Sequence, residues 1–213
     1  MWYVMRLKIN RAAFKELPLV FLPRQRKWVF LSNCVWKSLP CLQSVYSLHR
    51  EYESCHVFFH QRLGLSNATI DHVVEELLDD ADRRPTNQVR ELLVAVNNFL
   101  KRAFSLCSID KLRGKRIIPV KTCSGKTCLM RYDKDLFYLA DRPSLYEAFK
   151  GRLPLVDFTV DQVRDLSTLI DAMELRDFLL SQSVIEELHK VGIEVSDRQK
   201  TKDLRMRARY FTR

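Results

Sequence analysis

The spacing of apolar positions changes along this chain, and each change predicts a different element. Leu17-Pro18-Leu19-Val20-Phe21-Leu22-Pro23 is a short apolar run held between prolines, which predicts a strand at an edge or at the start of a sheet. Trp28 to Trp36 continues in an extended, aromatic-rich style. From Gln43 to Leu63 the apolar residues Val45, Leu48, Tyr52, Cys55, Phe58, Phe59 and Leu63 fall at steps of three and four, the stripe of an amphipathic helix closed by Gly64. A second helix is expected from Asn67 or Thr69 to about Asp80, burying Val73, Val74 and Leu77. A third runs from Thr86 or Asn87 to about Phe104, with Val89, Leu92, Leu93, Val96 and Leu100 inward. Three such helices with short connections should pack as a layer.

The pattern then turns to strands. Arg116–Cys123 and Thr127–Tyr132 flank a Ser-Gly turn and read as a β-hairpin, with Leu136–Leu139 as a third short strand. Asp141–Phe149 predicts a short helix closed by Gly151, and Leu153–Phe158 an extended segment. Thr159 and Gln162 have capping-box spacing, opening a helix that buries Val163, Leu166, Leu169, Ile170 and Met173. Further helices are expected over Leu175–Lys190 and Arg198–Tyr210. The class is therefore α+β and helix-rich, in two portions, 1–110 and 111–213, that can equally form one domain.

Composition adds a charge layout. Apolar residues make up 46% of the chain, enough for a core and too many for wholesale disorder. Formal charge is +10, and it sits at the ends. Residues 1–28 carry seven basic side chains against Glu16, and residues 198–213 carry seven against Asp203, which leaves the body near neutral. Basic ends attract phosphate, or are simply solvated. No apolar run reaches the roughly 20 residues that span a bilayer, and no segment resembles a secretory signal, so cytosol or nucleus is expected. Of the cysteines (Cys34, Cys41, Cys55, Cys107, Cys123, Cys128) none forms a CxxC pair, and buried thiols packing as small hydrophobes are expected.

Candidate chemistry is sparse. Ser124-Gly125-Lys126-Thr127 resembles the tail of a phosphate-binding loop, but the glycine required five residues before Gly125 is replaced by Val120. Lys121, Lys126 and the Gly125 amide can meet an anion there, although a plain turn explains the glycine as well. Cys123 and Cys128 would face each other if the loop has four residues, as a redox pair or, by the plainer reading, as packing. His56 and His60 have the i, i+4 spacing of metal ligands without the glutamate of HExxH. Asp79, Asp80 and Asp82 read as a solvated helix end. No GxSxG elbow occurs. At the far end, Arg205, Arg207 and Arg209 are candidate nucleic-acid contacts, but i, i+2 steps spread them around a helix. No cofactor is expected.

The order Pro18–Pro23, Trp28, Asn33–Trp36, Tyr52…Phe58-Phe59…Leu63-Gly64-Leu65, Ile117–Val120, Asp141-Arg142…Phe149 and Asp157–Thr159 resembles a region of large fungal proteins similar to sacsin and to the plant protein NO VEIN. Such proteins carry a Bergerat-type ATPase module, like those of histidine kinases and heat-shock chaperones, nearer their N-terminus. The resemblance spans roughly 17–213 and implies a stretch downstream of that module. The glycine motifs of the ATPase are absent here, so no nucleotide chemistry transfers to any residue of this chain. What the resemblance implies is a non-catalytic structural or protein-interaction region, with neighbouring segments of a larger chain or other proteins as partners. The alternative from another class is nucleic-acid binding through the basic ends.

Overall fold

The computed structural model describes residues 11–79, 84–102 and 109–185. The fold is α+β and helix-rich. The described residues up to Ser183 belong to one compact unit; of the second, Val184–Arg213, only 184–185 are described. The last five residues of the helix predicted over Leu175–Lys190, and all of the one predicted over Arg198–Tyr210, lie outside the described residues.

A short helix, α1 (Arg11–Glu16), which the sequence pattern did not predict, precedes the first apolar run. That run forms half of a hairpin. Strand β1 (Val20–Leu22) pairs antiparallel with β2 (Lys27–Val29), placing Val20 opposite Val29 and Phe21 opposite Trp28. Val20, Leu22 and Val29 face inward onto Leu48, Phe59, Leu63 and Trp36 in an N-terminal hydrophobic cluster.

The helix predicted over Gln43–Leu63 is corrected by the structure. Strand β3 (Cys34–Val35) pairs in parallel with β4 (Tyr46–Ser47) inside that span. The Leu48 and His49 amides donate to Val35 O and Trp36 O, at 3.0 Å each, and the Ser44 amide donates to Glu76 Oε2 at 2.9 Å. A helix needs those donors for its own ladder. The apolar stripe also serves two cores: Val45 packs on the main cluster, whereas Leu48, Tyr52, Phe58, Phe59 and Leu63 join the N-terminal one. Helical structure begins only at Glu53 and ends in a wide turn over Phe58–Arg62, where the Leu63 amide reaches back five residues to Phe58 O. Gly64 (φ 73°) then closes it as predicted.

Helices α2 (Ile70–Leu78) and α3 (Thr86–Arg102) agree with their predicted stripes, so the helical layer has two long members rather than three. Their buried side chains meet the sheet of β5 (Arg116–Lys121), β6 (Thr127–Arg131) and β7 (Leu155–Val156), ordered β6-β5-β7 and antiparallel throughout. One apolar cluster thus runs from Cys41 to Leu175, with Ile109, Leu112 and Ile117 continuous within it. Leu136–Leu139 does not form the third strand expected; Tyr138 and Leu139 make single bridges to Leu155 and Leu179. Helix α4 (Pro143–Phe149) starts on proline, whose missing N–H costs nothing at that position.

The last predicted helix pair is broken into pieces. Thr159 caps α5 (Val160–Asp165) by accepting from Gln162 N at 3.2 Å, while Gln162 Oε1 accepts from Thr159 N at 3.0 Å. A break at Leu166 separates α5 from α6 (Ser167–Ala172). Asn97, 2% exposed on α3, occupies the break: its Nδ2 donates to Asp165 O and its Oδ1 accepts from Leu169 N, both at 3.0 Å. Those are the two ends of one i→i−4 helical bond, so the amide is spliced into the ladder and kinks it. Beyond Glu174, at φ 59°, the chain makes a tight turn over Arg176–Phe178 and then α7 (Leu180–Ser183), in place of one helix from Leu175.

Candidate functional site

The β5–β6 tip is a self-satisfied turn. Gly125 at φ 81° donates its amide to Thr122 O (2.8 Å), and the Thr122 hydroxyl bonds Ser124 Oγ (2.9 Å) and Lys126 O (2.8 Å). The Gly125 amide is therefore used inside the turn, which removes the backbone donor that an anion site would need. Cys123 and Cys128 do not meet: Cys128 lies opposite Val120 in the sheet, while the Cys123 thiol at the tip donates to Arg152 O at 3.2 Å.

A cleft of about 300 Å³ lies between this tip and the end of α4. Lys121 and Gly125 line one side, Tyr146, Lys150 and Gly151 the other, and Leu155 and Phe158 its apolar floor. Lys126 does not line it. Glu147 pairs with Lys150 and raises its pKa, and Asp157 at the rim pairs with Arg90 (3.6 Å). Neither a histidine nor a cysteine lines this cleft. Arg205, Arg207 and Arg209 lie outside the described residues.

The histidine pair is packing. The His56 and His60 rings lie 4.2 Å apart, tilted at 44°, and each meets Trp36 edge-on, at 5.0 and 5.2 Å. Desolvation, then the neighbouring His56, lowers the His60 pKa. Among the described residues no three His, Cys, Asp or Glu side chains converge as metal ligands. His72, to which sequence gave no role, caps α2: its Nδ1 accepts from Thr69 N at 3.1 Å. Cysteines divide between the expected and the unexpected. Cys34 and Cys41 are buried, and burial pushes the Cys34 thiol up to about 11, an inert group. Cys55 and Cys123 are exposed, against expectation.

Glu76, on α2, is the one charged side chain among the described residues that is fully buried, 1% exposed. Its Oε1 lies 2.5 Å from Arg84 Nη1, and Arg84 Nε donates to Asp79 O at 2.8 Å, which caps the end of α2. Burial alone would raise its pKa, but hydrogen bonds from Ser44 and Arg84 outweigh that and hold the carboxyl below its usual range. Through these bonds Glu76 holds the Ser44 backbone and, by way of Arg84, the end of α2.

Sequence reasoning missed the outward face of the first hairpin. Trp28 is 61% exposed, Phe30 41% and Leu19 37%, with Phe21 half-buried against Trp28 at 5.0 Å. The signal was present. A strand facing water on one side alternates apolar with polar, whereas Leu17–Leu22 and Trp28–Leu31 are apolar on both sides apart from a proline and a flanking lysine.

A family described as a domain of unknown function, DUF8348, matches residues 71–184. No curated protein and no solved structure matches the chain. The matched stretch covers more than half of the sequence and holds α3, the β6-β5-β7 sheet, the cleft at its hairpin tip and the helix break closed by Asn97. The chain belongs to the DUF8348 family.

Proposed function

We propose that this chain is a non-catalytic structural and protein-interaction region, of the kind found in large fungal proteins similar to sacsin and NO VEIN. The observation that supports this most is how the buried polar groups are used. Glu76 fixes the Ser44 backbone and the end of α2, and Asn97 completes a broken helix. An active site is expected to leave a nucleophile within reach of a base and a pocket around both. The cleft at the hairpin tip instead joins two lysines and a tyrosine to an apolar floor, and its turn amide is already bonded.

Calorimetric titration of the chain with Mg-ATP, together with phosphate release, tests the proposal. The expected outcome is no saturable heat and no turnover. Saturable ATP binding would overturn it.

A further inference from the structure

We infer that the outer face and free edge of the first hairpin form a docking site for an acidic, extended peptide segment of a partner protein. The inference rests on the interaction reading above and names its surface and its ligand chemistry. Leu19, Phe21, Trp28 and Phe30 form the outward side of a two-stranded sheet whose inward side already fills the N-terminal cluster. Among the described residues this small sheet, apolar on both faces, buries one face in the core and leaves Trp28 and Phe30 of the other exposed. The aromatic pair Phe21–Trp28 lies at its centre, the residue types that dominate binding at interfaces.

The two edges of this sheet differ. On β1, the Tyr52 hydroxyl donates to Phe21 O at 2.5 Å and closes that side with a side chain of the core. On β2 no strand pairs with the outer edge among the described residues. An added strand would take its main-chain bonds from β2 and set alternate side chains on the aromatic face.

Charge selects the sign of the partner. Residues 15–31 hold Lys15, Arg24, Arg26 and Lys27 against Glu16 alone. Arg26 sits at the hairpin turn with φ 52°, and Arg24 keeps 70% of its side chain exposed although it lies 3.6 Å from Glu51. Lys27, across from Leu22 and so on the face opposite Trp28, is held over the Tyr46 ring at 4.4 Å from its centroid and donates to the Tyr46 hydroxyl at 2.6 Å. Acidic side chains alternating with Val or Leu match this layout. A single nucleic-acid strand would match the cations and the rings, but it has no use for an unpaired strand edge or for Leu17 and Leu19, and this favours the peptide.

The test titrates the full chain with three fluorescein-labelled probes: a blocked peptide alternating Glu and Val, its Lys-for-Glu counterpart, and oligothymidylate. Anisotropy and tryptophan emission are followed. The Glu peptide is expected to bind saturably and shift tryptophan emission to the blue. Binding should weaken about tenfold in Trp28→Ser, and several-fold on raising salt from about 0.1 to about 0.5 M. The near-ultraviolet signal of buried Trp36 checks that the variant is folded. Equal binding of the Lys peptide, tighter binding of oligothymidylate, an unaffected Trp28→Ser, or no peptide binding by folded protein would each overturn the inference. A failed peptide titration leaves the ATP experiment free to decide separately whether the chain is catalytic.

Discussion

A backbone hydrogen bond interrupted by a side chain has to be completed by that side chain or lost. At the α5–α6 break Asn97 completes it from both ends, and the amide is the smallest group with a donor and an acceptor at the required separation. Asn97→Ala leaves the Leu169 N–H and the Asp165 carbonyl unsatisfied, which costs about 2–4 kcal/mol at about 1–2 for each buried group. Asn97→Asp keeps the acceptor and turns the other oxygen against the Asp165 carbonyl, so it should not rescue. Urea denaturation measures both; a midpoint unchanged in Asn97→Ala would contradict the splice. Glu76 offers a pH-dependent counterpart. Its folded pKa is depressed, so the stability it contributes is complete above the ordinary carboxylate value and disappears as pH falls through the lowered one. Glu76→Gln is expected to lower the urea midpoint at pH 7 and to converge with the parent chain in acid. A difference constant across that range would show that the ion pair is not its source.

Elements were legible wherever the signal was local. The Thr159–Gln162 capping box and the glycines at 64, 125 and 151 depend on residues within one turn, and the structure bears them out. Thr159→Ala should cost about 1 kcal/mol by removing the cap, measured as a shifted midpoint without a changed slope. A larger loss accompanied by a changed slope would point to collapse of the kinked pair rather than a missing cap. Illegible elements were decided by distant partners. The Gln43–Leu63 stripe has helical spacing, yet Val35, Trp36 and Glu76 claim its amides from elsewhere in the chain. The break at Leu166 is invisible locally because the amide that closes it lies 68 residues from Asp165. The candidate site follows the same rule. Gly125 was readable as a turn, while the cleft needs α4 and β7 brought against the tip, and spacing alone cannot supply that.

At the scale of the molecule, two hydrophobic clusters share a single compact unit among the described residues up to Ser183. Backbone bonds stitch them together: Trp36 N to Ser66 O at 2.7 Å and Ala68 N to Lys37 O at 2.9 Å join the segment before Cys41 to the entry of α2. Leu48, fully buried in one cluster, and Leu93, buried in the other, are therefore expected to report on one transition. Leu48→Ala and Leu93→Ala should each cost about 2–5 kcal/mol, and near-ultraviolet and far-ultraviolet signals should move together in both. Separate transitions in Leu48→Ala would show that the N-terminal cluster unfolds on its own.

The Asn97 splice also bears on descent within the family. A straight helix at this place has no vacancy for an amide, and in this bent one Asn97 closes the missing rung from both ends. The bend and the asparagine are therefore expected to be inherited or discarded together. Both fall inside the shared stretch, so a relative bearing Leu or Val at the equivalent position should have regained an unbroken rod. That single letter would sort the family's members into bent and straight lineages before any of their coordinates are known.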